Sequence, residues 1–310
     1  MTFWVLFGLV IAVPLALPWL IEISRAPIDK HARANAPGEL VKLSRGTTHF
    51  QWRGPEDGPV IVCVHGLTTP SFVWNSIAST LAKSGYRVLT YDLYGRGYSD
   101  RPFGAQTPDF FLRQLSELLD SQSIAEPVTL FGYSMGGAIT TAFAAEYPDR
   151  VARAVLLAPA GMLPVRTEKT KFMLETPVIG TWLMMMRYPE MLRAGIQAEA
   201  HLPKTVPGLA KLQAAELDNR GFLPAVISSL RGMLKNEFKT AHETIHACKI
   251  PVLAIWGGED DVIAISAKDK LGQWNPDALQ EVIADAGHGV GYTHTDQVLE
   301  SVARFFEKTA

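Results

Sequence analysis

The chain has 310 residues, 47% of them apolar, which is enough to bury the core of one large α/β domain. Its 29 Lys and Arg nearly balance its 31 Asp and Glu, for a formal net charge of −2, and no basic stripe stands out, which argues against nucleic acid as a partner. Only two cysteines occur, Cys63 and Cys248, in no C-x-x-C or Cys/His grouping; that count excludes a disulfide scaffold, both are read as small buried apolar residues, and no metal or cofactor is expected.

The first element is FWVLFGLVIAVPLALPWLI, residues 3–21, a run without charge. It is long enough to cross a bilayer as a helix, with Pro14 and Pro18 as kinks. Trp4 and Trp19 sit near its ends, and Arg25, Lys30 and Arg33 follow it. The positive-inside rule then puts the rest of the chain on the cytoplasmic side of a membrane. One alternative is a cleaved signal peptide on a secreted or periplasmic protein, but no Lys or Arg precedes the run and the small-residue stretch 32–36 lies late; the other is a buried core helix, which would be unusually apolar all round. Residues 1–23 are therefore expected to form a transmembrane anchor. Residues 24–42, with Pro27, Pro37 and Gly38, are read as a linker.

From residue 43 the chain alternates between strand and helix patterns. Residues 47–54 read as an edge strand, and PVIVCVHG, residues 59–66, as a strand buried on both faces. Helix 73–84, strand 86–92, helix 106–121, strand 128–131, helix 135–147 and strand 151–157 follow. After a long interruption come strand 251–256, helix 267–273, strand 279–283 and helix 295–308. Such alternation predicts a doubly wound, mostly parallel sheet covered by helices, with ligands beyond the carboxyl ends of its strands.

One of those loops carries Gly132-Tyr133-Ser134-Met135-Gly136 between an apolar strand and an Ala-rich helix. A sharp strand-to-helix turn lifts a nucleophile above a sheet, and bulky residues at the flanking glycine positions would clash. The helix that follows points its free N–H groups at developing negative charge. A serine needs a base, and the base an orienting acid, in chain order Ser, acid, His. Among eight histidines His288, in the Gly-flanked loop after the last strand, is the candidate base. For the acid, AIWGGEDDVI offers Glu259, Asp260 and Asp261.

VHGLTTPSFVW, YDLYGRGYSDRP, LFGYSMGG, IWGGEDDVI and AGHGV, in that order, resemble the α/β-hydrolase-fold serine hydrolases of the esterase and lipase type, over residues 43–308. The resemblance implies a Ser134-Asp260-His288 triad, since Trp256-Gly257-Gly258-Glu259-Asp260 matches the family's W-G-x-x-D pattern; Asp261 stands where the family often has proline. It implies backbone oxyanion donors at Leu67 and Met135, a structural rather than catalytic His65, and a Gly-rich loop at residues 94–99 that shapes the site. The dehalogenase and epoxide-hydrolase branches carry Asp at the nucleophile position, where this chain has Ser134. Residues 43–160 and 249–310 would form the core and residues 161–248 a helical cap. In that cap Met184, Met185 and Met186 are expected to line an acyl pocket, methionine being adaptable to irregular apolar shapes. The layout resembles membrane-anchored monoacylglycerol lipase-like carboxylesterases and implies a small hydrophobic ester as substrate. A carbon–carbon hydrolase of a dienoic ketone is the alternative, with Arg166, Arg187 and Arg193 to hold its carboxylate.

Overall fold

The computed structural model describes residues 2–163 and 168–309, with side chains for residues 13–163 and 170–309. Eight strands form one sheet: β1 (Glu39–Leu43), β2 (Gly46–Arg53), β3 (Val60–Val64), β4 (Arg87–Tyr91), β5 (Val128–Tyr133), β6 (Val151–Leu157), β7 (Val252–Gly257) and β8 (Leu279–Ile283). Their order is β1-β2-β4-β3-β5-β6-β7-β8. β1 and β2 run antiparallel; β4, β3, β5, β6, β7 and β8 are mutually parallel.

The period of two along each strand sorts its side chains between two layers. Val62, Val64, Leu130 and Trp256 face helices Pro108–Ser121 and Met135–Glu146, while Ile61, Cys63, Phe131 and Ile255 face helices Asn75–Lys83 and Thr295–Lys308. Strands β5 and β7 are buried at every position, as their continuous apolar runs predict. β1 lies at one edge and is mostly exposed. Residues 24–42, read as a linker, in fact hold a short helix, Lys30–Arg33, and most of β1.

The N-terminal expectation is overturned. Among the described residues no helix is long and apolar enough to cross a membrane, so neither the anchor nor the location inferred from it stands. Helix Thr2–Ser24 instead meets the protein's own surface at its C-terminal half. Trp182 Nε1 donates to the Pro14 carbonyl at 3.1 Å. The buried Glu22 carboxylate takes the Gly221 amide and pairs with Arg25. The following Ala26 bridges Asn219, and its amide donates to Asp218 O at 3.0 Å. Most of the apolar side chains described in this helix, Val13, Leu15, Leu17, Trp19, Leu20, Ile21 and Ile23, stay exposed, so its contacts run through Pro14, Glu22 and the residues that follow.

Between β6 and β7 the described residues form helices Glu168–Glu175, Pro177–Ala198, Leu209–Ala215, Phe222–Arg231 and Lys239–Ala247. The last of these packs against helices Met135–Glu146 and Ala267–Trp274, in the layer that covers the sheet. Cys63 is buried as expected, but Cys248, just after this helix, is exposed.

Candidate active site

β5 delivers Ser134 at its carboxyl end, with φ 54° and ψ −117°, a left-handed conformation rare for a side-chain-bearing residue. Three backbone bonds hold it there: Ser134 N donates to Leu157 O at 3.0 Å, and its carbonyl accepts from Gly137 N at 2.9 Å and Ala160 N at 3.0 Å. A Cβ on Gly136 would fall onto the Val64 carbonyl oxygen, so only glycine lets the helix start this close to β3. The strain at Ser134 is thus over-determined by its surroundings, as strain at functional sites generally is.

His288, in the loop after β8, places Nε2 2.9 Å from Ser134 Oγ. Its Nδ1 lies 2.8 Å from Asp260 Oδ2. The other carboxylate oxygen of Asp260 accepts the amides of Val262 and Ile263, each at 2.8 Å, so the turn after β7 fixes this side chain at both ends. Asp261 is exposed and turns toward the open cavity instead. The geometry brings together three of the predicted residues, Ser134, Asp260 and His288, and separates the two aspartates that the residue pattern alone left open.

Leu67 and Met135 flank Ser134 in space. Gly66, next to Leu67, packs against Ser134 and Tyr133, and Met135 opens the helix behind the serine. Neither the Leu67 nor the Met135 amide is engaged by a described acceptor. Two buried side chains set the Leu67 loop. His65 Nε2 accepts the Leu93 amide at 2.9 Å while Nδ1 faces the Gly66 carbonyl at 2.8 Å, which requires the proton on Nδ1. Burial holds His65 neutral, lowering its pKa to about 4. Arg96 Nε donates to the Leu67 carbonyl at 2.9 Å. That contact was not foreseen; the sequence flagged the Gly-rich loop around Arg96 but not its reach.

Above Ser134 opens a cavity of about 340 Å³. Its apolar wall includes Leu67, Tyr188, Leu192, Ile196, Leu234 and Val262, and burial raises the Tyr188 phenol to about 12. Met184, Met185 and Met186 do not line it. Met184 and Met185 are buried in the core, Met185 also edging a second cavity beside Trp19, and Met186 is half-buried. Consecutive helical residues point about 100° apart, so three in a row cannot share one wall. The wall is a helical stripe, Tyr188, Met191/Leu192, Gly195/Ile196 and Glu199, whose spacing was present in the sequence. Arg187 is exposed and pairs with Glu190, and neither it nor Arg193 lines this cavity; Arg166 lies outside the described residues. Among the described residues no group of three or more His, Cys, Asp or Glu could hold a metal ion.

Over residues 55–290 the chain matches the family model described as serine aminopeptidase, S33. It belongs to that family, and with this sheet it is an α/β-hydrolase-fold serine hydrolase. Its relatives span several chemistries. A haloalkane dehalogenase of Mycobacterium marinum is 30% identical over 69% of this chain and 73% of its own. Lipase 1 of Psychrobacter immobilis is 27% identical over 74% of this chain and 71% of its own. Among solved structures, the meta-cleavage product hydrolase CumD of Pseudomonas fluorescens superposes with a TM-score of 0.70, at 25% identity, over 88% of this chain and 98% of that one.

Proposed function

We propose that the protein hydrolyses carboxylic esters of hydrophobic acyl groups through an acyl-enzyme, in the manner of carboxylesterases and monoacylglycerol lipases. The observation that carries this reading is the unbroken chain Asp260–His288–Ser134, with spacings of 2.8 and 2.9 Å, at the floor of an apolar cavity. Ser134 Oγ attacks the ester carbonyl carbon and its proton passes to His288 Nε2; the carbonyl π pair moves onto oxygen, facing the Leu67 and Met135 amides. The oxyanion collapses, the C–O bond to the alcohol breaks, and His288 returns its proton to the departing oxygen. Water then attacks the acyl-enzyme, giving its proton to His288, and the acid leaves as Ser134 recovers that proton. Asp260 holds the imidazole with its proton on Nδ1 throughout.

Lipase 1 among the relatives supports an ester substrate, and the uncharged wall at Leu192 and Ile196 supports an apolar acyl group. The carbon–carbon alternative calls for a cationic anchor; Arg187 and Arg193 do not line the cavity, and Arg166 lies outside the described residues. A fluorophosphonate should label Ser134 alone, and p-nitrophenyl esters should be cleaved faster than a ring-cleavage dienoate. Labelling that survives Ser134→Ala, or a preference for the dienoate, overturns the proposal.

A further inference from the structure

Asp260 fixes the His288 ring, but the loop that carries His288 has a second support. Gly289 follows the histidine, and a Cβ there would fall onto the ring of Tyr292, so glycine lets this buried tyrosine close against the loop. The Tyr292 ring meets Tyr133 edge to face at 6.2 Å between centroids, and Tyr133 packs in turn on the His288 imidazole at 5.4 Å. One stretch of chain between β6 and β7 clasps Tyr292 at both ends. The Tyr292 hydroxyl donates to Glu199 Oε2 at 2.9 Å, and its carbonyl accepts Thr205 N at 2.9 Å and Thr205 Oγ1 at 3.2 Å. Farther along the same stretch, Gln213 Nε2 donates to Thr69 Oγ1 at 2.9 Å, on the Leu67 loop.

Glu199 stands at the end of the helix that carries the apolar stripe. Within residues 191–199 only Leu192, Ile196 and Glu199 are half-buried; the others are exposed. Pro189 removes a backbone donor from the helix just before this stretch. Among the described residues, the bond from Tyr292 to Glu199 is the one side-chain hydrogen bond that ties residues 191–199 to the loops carrying Ser134, Asp260 and His288. Leu192, Ile196 and Glu199 lie on successive turns of one helix face, and all three line the cavity. An acyl chain lying along Leu192 and Ile196 settles that face, and Glu199 passes the placement to Tyr292 and so to the His288 loop. An acetyl group has no methylenes to lay there.

Building on the ester-hydrolase reading, we propose that Tyr292 is a positioning residue that couples the acyl-lined helix to His288, so that a longer acyl chain raises kcat as well as lowering KM. Part of the binding free energy of the chain, remote from the reacting carbonyl, then goes into holding His288 Nε2 in line with Ser134 Oγ. Chain-length selectivity is expressed in the chemical step and not in affinity alone.

The test is a ratio: kcat for p-nitrophenyl octanoate divided by kcat for p-nitrophenyl acetate, both at saturation on one enzyme preparation. Because the active fraction cancels, partial misfolding of a variant does not move the ratio. In the wild type it should be about fivefold or more, well inside the ~10²-fold that a misplacement of about 1 Å can cost. Tyr292→Phe keeps the ring against Gly289 and loses only the bond to Glu199. Its ratio should fall to within about twofold of unity, while KM still drops from acetate to octanoate because the apolar wall is intact. Glu199→Ala should do the same, and the double variant should be no worse than either single one, since both remove one shared bond. Glu199→Gln keeps an acceptor for the Tyr292 hydroxyl and should restore the ratio. A wild-type ratio near one, or a Tyr292→Phe ratio equal to the wild type's, overturns the coupling. So does a Glu199→Gln ratio as low as that of Glu199→Ala, which would make Glu199 a charge acting on the substrate directly. Failure of the wild type to cleave either ester would instead overturn the ester reading on which it rests.

Discussion

Asp260→Asn changes one proton and almost no volume, and the structure dictates what that proton does. Asp260 Oδ1 accepts two backbone amides, Val262 and Ile263, both at 2.8 Å. In the variant that position must remain an oxygen, because an NH₂ there would face two N–H donors. The side-chain amide is therefore forced to point its NH₂ at His288 Nδ1, the atom now 2.8 Å from Oδ2. A donor at Nδ1 drives the histidine proton to Nε2, which faces Ser134 Oγ at 2.9 Å. The imidazole then meets the serine with an N–H instead of a lone pair and cannot take its proton. In triads where this tautomer is imposed kcat falls by about 10⁴-fold, which corresponds to roughly 5.5 kcal/mol at about 1.4 kcal/mol per tenfold. Steady-state hydrolysis of a short p-nitrophenyl ester measures it, with KM expected to change little, since Asp260 does not line the cavity. Asp261→Asn, at an exposed rim position, should stay within a few-fold of wild type. If Asp260→Asn keeps more than a tenth of wild-type kcat, or if Asp261→Asn falls as far, the reasoning fails.

Arg96→Met removes the donor to Leu67 O and also those to Tyr94 O, Gln106 Oε1 and Ser229 Oγ; at about 1–3 kcal/mol for each buried acceptor left unpaired, thermal unfolding should shift down by roughly 5 °C or more, and an unchanged Tm would contradict the assignment. Burial lowers the His242 pKa to about 4, so its native-state contribution is complete above the ordinary value near 6.5 and is lost as pH falls toward 4. Urea titrations should therefore show His242→Phe gaining on wild type by up to about 1.4 kcal/mol per pH unit across that window, and a pH-independent difference would contradict it. Along a series of acyl chain lengths, Leu192→Ser or Ile196→Ser should flatten the rise in kcat/KM, which draws on about 0.8 kcal/mol per buried methylene, whereas Met185→Ser should leave its slope unchanged. A flattening by Met185→Ser alone would return the pocket to the methionines.

What the sequence revealed depended on how local the signal was. β3, β5 and β7 are continuous apolar runs because helices cover both faces of the sheet there, and such runs are legible without knowing the partner. β1 was not legible: ELVKL has one buried residue, and the strand exists because it pairs with β2. The turn at Ser134 was read from five residues because its strain needs glycine at fixed positions. The choice between Asp260 and Asp261 could not be read from the residues themselves, since two adjacent carboxylates differ only in which one the turn amides of Val262 and Ile263 catch. Long-range polar contacts were equally silent. Nothing near Arg96 announces that its guanidinium reaches Leu67, and nothing near Gln213 announces Thr69.

Those polar contacts divide the labour among the helices between β6 and β7. Helix Phe222–Arg231 is bound into the core. Arg96 donates to Ser229 Oγ, the Gln106 amide donates to Ser228 Oγ at 3.0 Å, and Met233 N donates to Gln106 O at 2.8 Å. Burial pushes the Arg96 pKa down to about 9, which leaves it charged at neutral pH. The same guanidinium holds the Leu67 carbonyl, so moving this helix would disturb the loop whose Leu67 amide is proposed to receive the oxyanion. Helix Pro177–Ala198 is different. It carries the apolar stripe, has Pro189 in its interior and leaves Met191 half in solvent at the cavity mouth. Substitutions along Leu192 and Ile196 can reshape the pocket without touching the hydrogen bonds that align Ser134, His288 and Asp260. On the proposed ester-hydrolase reading, the chemistry rests on the elements most tightly tied to the sheet, and the choice of acyl chain on a helix that borders the cavity without carrying any of the three.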